Sequence, residues 1–231
     1  MTLQILFQDE YLVAINKPHG LLVHRSKIAM DADEFAVQLL RDQIEQAVYP
    51  VHRLDRKTSG ILLFALSPEI NSHMQQKFMD RKVDKKYLAF VRGFMEKAGT
   101  IDYPLKKENG STQEAITHFK TLKRGELPFP SGKFQSSRYS LVELVPETGR
   151  MHQLRKHLAH VFHPIIGDRP HGCNKQNKLF LERLNMNTML LHASELSFFH
   201  PISNVKIELK APLFSEFQRV LELEELSLVS V

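Results

Sequence analysis

Val51-His52-Arg53-Leu54-Asp55-Arg56-Lys57-Thr58-Ser59-Gly60, running straight into Ile61-Leu62-Leu63-Phe64-Ala65-Leu66, is the stretch from which the chain is best read. Thr58-Ser59-Gly60 is turn chemistry, and the six apolar residues behind it have the length of a buried strand. Asp55 is therefore expected on a loop pinned to a core strand, a rigid support with an open approach. It is one carboxylate among three cations, Arg53, Arg56 and Lys57. Positive neighbours favour the ionised form. An ionised carboxylate acts as a nucleophile or an electrostatic stabiliser, not as a general acid. The plainer reading is an aspartate that serves the turn and pairs with an arginine, since Asp favours turns for local reasons.

Composition sets the bounds. The 231 residues are 42% hydrophobic and 25% charged, which suits a folded domain with a sizeable core. A net charge of +5 permits a polyanionic partner without requiring one. The single cysteine, Cys173, excludes an internal disulfide and a cysteine-rich zinc site, and fits a reducing compartment. The first ten residues lack a basic segment and already carry Asp9 and Glu10, so no secretory signal is expected. No apolar run approaches the ~18 residues of a membrane span. A soluble, cytoplasmic, monomeric protein is expected.

Outward from Asp55, the spacing predicts strands over 3–7 and 12–16 and a turn at Pro18-His19-Gly20. Asp31 to Asp33 could cap a helix over 34–47. Ser67 is a good N-cap with Pro68 at the first helical position, opening a helix to about Met79. Residues 85–93, 101–105, 115–122 and 139–145 read as strands, with Tyr87, Ala89 and Val91 on one face of the first. Polar stretches over 106–114 and 125–137 read as loops. Residues 150–161 read as a helix with Met151, Leu154, Leu158 and Val161 on its apolar stripe and Gln153, Lys156 and His160 opposite. Arg155 then sits at the edge of that stripe, where a half-buried guanidinium needs a carboxylate. Asp55 is the preferred partner and Asp168 the other candidate. Residues 172–187 are polar and basic, 189–196, 198–199 and 205–209 read as closing strands, and 215–225 as a final helix. There is no βαβ rhythm and no linker. The expected fold is α+β, one catalytic domain over 1–231 with a mixed, largely antiparallel sheet flanked by helices.

Five segments, in order, resemble the RluA-type pseudouridine synthases: Asn16-Lys17-Pro18-His19-Gly20, the Asp55 segment, the run from Lys85 to Gly93, the run from Thr148 to Ala159 with His163 to Asp168 behind it, and the run from Leu190 to Pro201. The resemblance implies an isomerase that converts uridine in RNA to pseudouridine without a cofactor. Asp55 is similar to the family's catalytic aspartate, and Tyr87 to the aromatic that packs on the target base. Arg155 matches the arginine that ion-pairs the aspartate, and Arg53 the arginine thought to fill the gap left by the flipped nucleotide. The segment after His163, Val23-His24-Arg25-Ser26 and Arg41-Asp42-Gln43-Ile44 look more like the branch that modifies tRNA at position 65. A ribosomal RNA substrate and a non-catalytic RNA-binding relative are the alternatives. Only about four residues precede the resemblance, so no separate N-terminal RNA-binding domain is expected.

The chemistry breaks C1′–N1, turns the base and forms C1′–C5, by attack at C1′ or through a glycal. A stacked base is out of reach and must be flipped, and an aromatic such as Tyr87 can then stack on it. Residues 150–183 carry seven cations against two acids, so Arg150, Gln153, Lys156, Lys175 and Lys178 are expected on the RNA side with His52, Arg53 and Arg56. His152, His157, His160, His163 and His171 lie close in sequence. Without an HExxH-type pattern, no metal site is assigned to them.

Overall fold

The computed structural model describes residues 1–24, 34–107 and 109–231. In chain order the strands are β1 (Gln4–Gln8), β2 (Leu12–Lys17), β3 (Tyr49–Pro50), β4 (Ser59–Ala65), β5 (Val83–Arg92), β6 (Ala98–Asp102), β7 (Leu105–Lys106), β8 (Thr112–Gln113), β9 (Ile116–Leu127), β10 (Ser137–Pro146), β11 (Leu191–Phe199), β12 (Lys206–Lys210) and β13 (Val229–Ser230). The helices are α1 (Ala36–Ile44), α2 (Pro68–Met79), α3 (Gln153–His160), α4 (Asn174–Leu184) and α5 (Ser215–Leu221). The fold is α+β, as expected. The described chain divides into two compact units, one of residues 1–85 and 193–213, the other of 86–192 and 214–231.

In the first unit the strand order is β1-β2-β4-β11, with β12 on β11 and β3 on β4. β1–β2, β2–β4, β3–β4 and β11–β12 are antiparallel. Every residue of β4 is buried, as its unbroken apolar run requires. Ile61, Leu63 and Ala65 point into a core with Leu12, Ala14, Ile70, Met74, Leu196 and Phe198. α2 starts where Ser67 and Pro68 place it, and the Ile70 N–H donates to Ser67 Oγ at 3.2 Å. α1 is shorter than expected. It ends at Glu45 in the left-handed region, and its proposed acidic cap, Asp31 to Asp33, lies outside the described residues.

In the second unit β5-β10-β9-β13 form an antiparallel ladder, and β6 pairs with β9. Ala89 and Val91 of β5 and Val142 and Leu144 of β10 pack against Leu154 and Leu158 of α3, with Tyr87 at the margin. The two expected loops carry more order than their polarity suggested. β7 and β8 form a small hairpin within residues 105–113, while β9 runs on to Leu127 and β10 begins at Ser137. Residues 172–187 contain α4, which was not expected. Only Gln176 and Phe180 of it are buried, too few apolar positions to show a helical period.

Gly60 is the tightest point of the first unit. Its φ is +104°, and a Cβ there would sit 2.6 Å from the Ala193 nitrogen. Both the left-handed backbone and the close approach demand glycine. Gly60→Ala should destabilise the chain by at least about 2 kcal/mol, read as a lowered urea midpoint. A midpoint equal to wild type would contradict the packing described.

Candidate active site

Asp55 lies on the short connection between β3 and β4, half-buried, with its own carbonyl accepting the Thr58 N–H at 3.0 Å. Gly60 and the buried strand hold the far end of this turn. The near end is fastened to the turn after β2. The Gly20 N–H donates to the Arg56 carbonyl at 2.9 Å, and Arg56 Nε donates back to the Gly20 carbonyl at 3.1 Å. Beneath them lies Lys17, the last residue of β2, with no exposed surface. Its Nζ donates to the carbonyls of Pro18 (2.9 Å), Leu21 (2.9 Å) and Arg56 (3.2 Å). An ammonium has three N–H bonds, and three carbonyl oxygens take them. Burial pulls the Lys17 pKa down to about 7, while the charge of Asp55 pulls it back up.

His19 completes this cationic neighbourhood. Burial and then the charges of Lys17, Lys57 and Arg56 push its pKa down to about 4. His52 is also held neutral at about 4, by burial first and by Lys85 second. Its Nε2 accepts the Leu63 N–H at 3.1 Å, and its ring stacks on Phe78 at 4.8 Å. Its ring, half-exposed, thus helps to join the loop to β4 and α2. Arg53 and Arg56 are exposed, as an RNA contact requires.

In the second unit Tyr87 is half-buried on β5, opposite Leu144 of β10. Arg155 is buried on α3 and grips Asp168 in a bidentate pair, Nε to Oδ2 and Nη2 to Oδ1, each at 2.8 Å. Asp168, the second of the two partners left open by the sequence, pairs with this guanidinium. The pair is itself braced. The Asp168 carbonyl accepts Asn177 Nδ2 at 2.7 Å, and its Oδ1 accepts the His171 N–H at 3.3 Å.

Gln153 departs from its expected outward placement. It is buried, whereas the helical wheel placed it outside. Its Oε1 accepts from Thr148 Oγ1 (2.7 Å) and the Arg150 N–H (3.0 Å), and its Nε2 donates to the Ile116 carbonyl (2.9 Å) and Thr117 Oγ1 (3.0 Å). Such a fully used amide has no donor left for RNA. His157 extends the network, with Nδ1 on Thr117 Oγ1 at 3.0 Å and Nε2 on the Tyr103 carbonyl at 2.9 Å. α3 begins at Gln153, not at Arg150, so Met151 falls in the preceding turn and is exposed. Arg150 is half-exposed with Nε on the Glu114 carbonyl, Lys156 is half-exposed, and Lys175 and Lys178 are exposed on α4, where Lys178 pairs with Glu182 at 3.5 Å. Among the described residues no group of three or more His, Cys, Asp or Glu side chains is placed to hold a metal.

Lys17 was not singled out by the sequence reading. Its signal was a lysine closing the apolar strand Leu12-Val13-Ala14-Ile15-Asn16-Lys17 just before a proline.

Residues 11–160 match the family described as RNA pseudouridylate synthase, and the chain belongs to that family. It is 48% identical to tRNA pseudouridine synthase C of Vibrio parahaemolyticus, over 94% of this chain and 93% of that one. It is also 48% identical to the protein of the same name from Haemophilus influenzae, over 95% and 96%. Among solved structures it resembles human RNA pseudouridylate synthase domain containing 4, with a TM-score of 0.73 and 28% identity over 98% of this chain and 94% of that one.

The depressed His52 pKa has a consequence for stability. The unfolded chain binds a proton at this imidazole below about pH 6.5, but the folded chain binds one only near pH 4. Stability therefore falls as the pH drops through that window. Wild type should lose about 1–2 kcal/mol more than His52→Phe between pH 7 and pH 5, measured as the change in urea midpoint. Equal losses in the two proteins would show that His52 is not held neutral by the fold.

Proposed function

We propose that this chain isomerises one uridine of tRNA to pseudouridine, at the position the sequence resemblance implies, position 65, and that it acts as a cytoplasmic monomer. The observation that carries the chemistry is the Asp55 loop, which bears a half-buried carboxylate and whose Arg56 carbonyl is held from beneath by Lys17 Nζ. The tRNA substrate is supported by relatives of nearly the same length whose names specify it.

The isomerisation changes neither redox state nor composition. It needs a group that acts at C1′ while the C1′–N1 bond breaks, a surface on which the detached base turns, and exclusion of water that would release uracil. Asp55 supplies the carboxylate, as nucleophile or as stabiliser of charge at C1′. The fixed loop holds it in one attack geometry, which is worth several kcal/mol when the alternative is a mobile side chain. Tyr87 supplies the aromatic face for the flipped base, and Arg155, held rigid by Asp168, supplies fixed positive charge. Arg53, Arg56, Arg150, Lys156, Lys175 and Lys178 bind phosphates, and affinity falls as salt rises. No helix among the described residues is long and apolar enough to cross a membrane.

Unmodified bulk tRNA and ribosomal RNA incubated with wild type and with Asp55→Asn, then mapped base by base, test this reading. Wild type should place pseudouridine at one tRNA site and Asp55→Asn at none. Modification confined to ribosomal RNA would sink the substrate assignment, and an active Asp55→Asn would sink the role of the carboxylate.

A further inference from the structure

The hairpin that joins β9 to β10 carries features that the isomerisation does not use. Ser131 and Phe134 bond to each other in both directions, Ser131 N–H to the Phe134 carbonyl at 2.9 Å and Phe134 N–H to the Ser131 carbonyl at 3.3 Å. This closes a two-residue turn, Gly132-Lys133, in which Gly132 takes φ +65°, the left-handed value such turns require. The turn holds Phe134 with 62% of its surface exposed and places the Lys133 ammonium 5.6 Å from its ring centre. A large aromatic side chain fixed in solvent by backbone bonds is a ready stacking surface.

Beside it opens a cavity of about 310 Å³ lined by Arg92, Gly93, Phe134, Gln135, Arg138 and Gln176, together with three serines. Its floor is rigid. Gln176 is buried, accepts from Tyr139 Oη at 2.5 Å, and donates to Ser137 Oγ at 3.0 Å. Its rim is cationic. Arg92 and Arg138 are exposed, and the Lys175 ammonium lies 4.0 Å from where a side chain at Gly132 would begin. Glu126 opposes them, taking Arg138 Nε at 2.9 Å and Ser136 Oγ at 2.7 Å. Next to the rim residue Gly93, the exposed Phe94 ring has the Arg138 and Arg124 guanidinium carbons 5.1 and 5.9 Å from its centre. Interleaved cations and exposed aromatic rings around a small pocket are the chemistry of a site for single-stranded nucleic acid. The volume suits one nucleotide and not a duplex.

Arg92 is five residues from Tyr87 along β5, roughly 17 Å at ~3.3 Å per residue. Alternation also turns Arg92 to the face of β5 opposite Tyr87, so the cavity is too far away, and on the wrong side of the strand, to hold the uridine that Tyr87 meets.

We propose that this cavity is an accessory RNA subsite, in which an unpaired substrate nucleotide distant from the target uridine stacks on Phe134 while its phosphate is held by Arg92 with Arg138. The proposal rests on the reading of the chain as an RNA-modifying enzyme. It gives the β9–β10 hairpin a part in substrate choice that the catalytic loop does not have.

Equilibrium binding of unmodified tRNA tests it directly, using the full chain as wild type, Phe134→Ala, Phe134→Tyr, Arg92→Ala and, as an exposed aromatic that does not line the cavity, Phe199→Ala. Phe134→Ala should weaken binding at least about five-fold, the lower end of a lost base stack, while Phe134→Tyr and Phe199→Ala bind as wild type does. Arg92→Ala should lower the slope of log affinity against log salt by about 0.7, one phosphate contact to a single strand. Wild-type affinity in Phe134→Ala, or an equal loss in Phe199→Ala, would overturn the subsite. Wild type that forms no pseudouridine in tRNA, yet binds it in a Phe134-dependent manner, would sink the tRNA-isomerase reading and keep the subsite. Normal modification with unchanged binding in Phe134→Ala would do the reverse.

Discussion

A single buried ammonium fixes the geometry of the first unit's chemistry. Lys17 has no exposed surface, yet its three N–H bonds are all accepted by backbone carbonyls, two from the turn that follows β2 and one from Arg56 beside the candidate catalytic aspartate. Burying a charge without such partners costs several kcal/mol. The carbonyls must therefore stay where they are, and the turn and the Asp55 loop cannot separate without exposing the cost. The attraction of the Asp55 charge favours the protonated form of Lys17. One residue thus ties two loops together, which neither a surface lysine nor an apolar residue could do.

The second unit solves a related problem with neutral groups. α3 must carry Arg155 at a fixed height against β9, and an apolar stripe alone leaves a helix free to slide. The Thr148–Gln153–Thr117–His157 network removes that freedom, because each donor has one acceptor at hydrogen-bond distance. Arg155 then meets Asp168 in a two-point contact that sets the plane of its guanidinium as well as its position. Both units place functional groups on short segments braced by buried polar contacts, the arrangement that preorganised catalysis requires.

The parts of the fold that local chemistry dictates were legible in the sequence. β4 announced itself as an unbroken apolar run, and α2 by Ser67-Pro68, a cap whose hydrogen bond depends only on neighbouring residues. The placement of Asp55 on a loop just ahead of β4 followed. What could not be read depends on partners distant in sequence. Gln153 looks like a solvent-facing residue on a helical wheel, and only Ile116 and Thr117, 37 and 36 residues away, make it a core residue. Nor does the sequence show that Leu63 and Phe78 engage the ring of His52. α4 buries only Gln176 and Phe180, so no hydrophobic period marks it. Lys17 shows the limit best, since only the folded chain gathers carbonyls from Pro18, Leu21 and Arg56 around one side chain.

The account turns on Lys17 holding the Asp55 loop, and Lys17→Met, of similar reach but without donors, tests this most directly. Pseudouridine formation at saturating tRNA should fall at least about 100-fold, as expected for a misplaced catalytic group. The urea midpoint should fall by an amount equivalent to about 2–4 kcal/mol as the Pro18 and Leu21 carbonyls lose their donor. A Lys17→Met protein with wild-type turnover and wild-type stability would contradict the account.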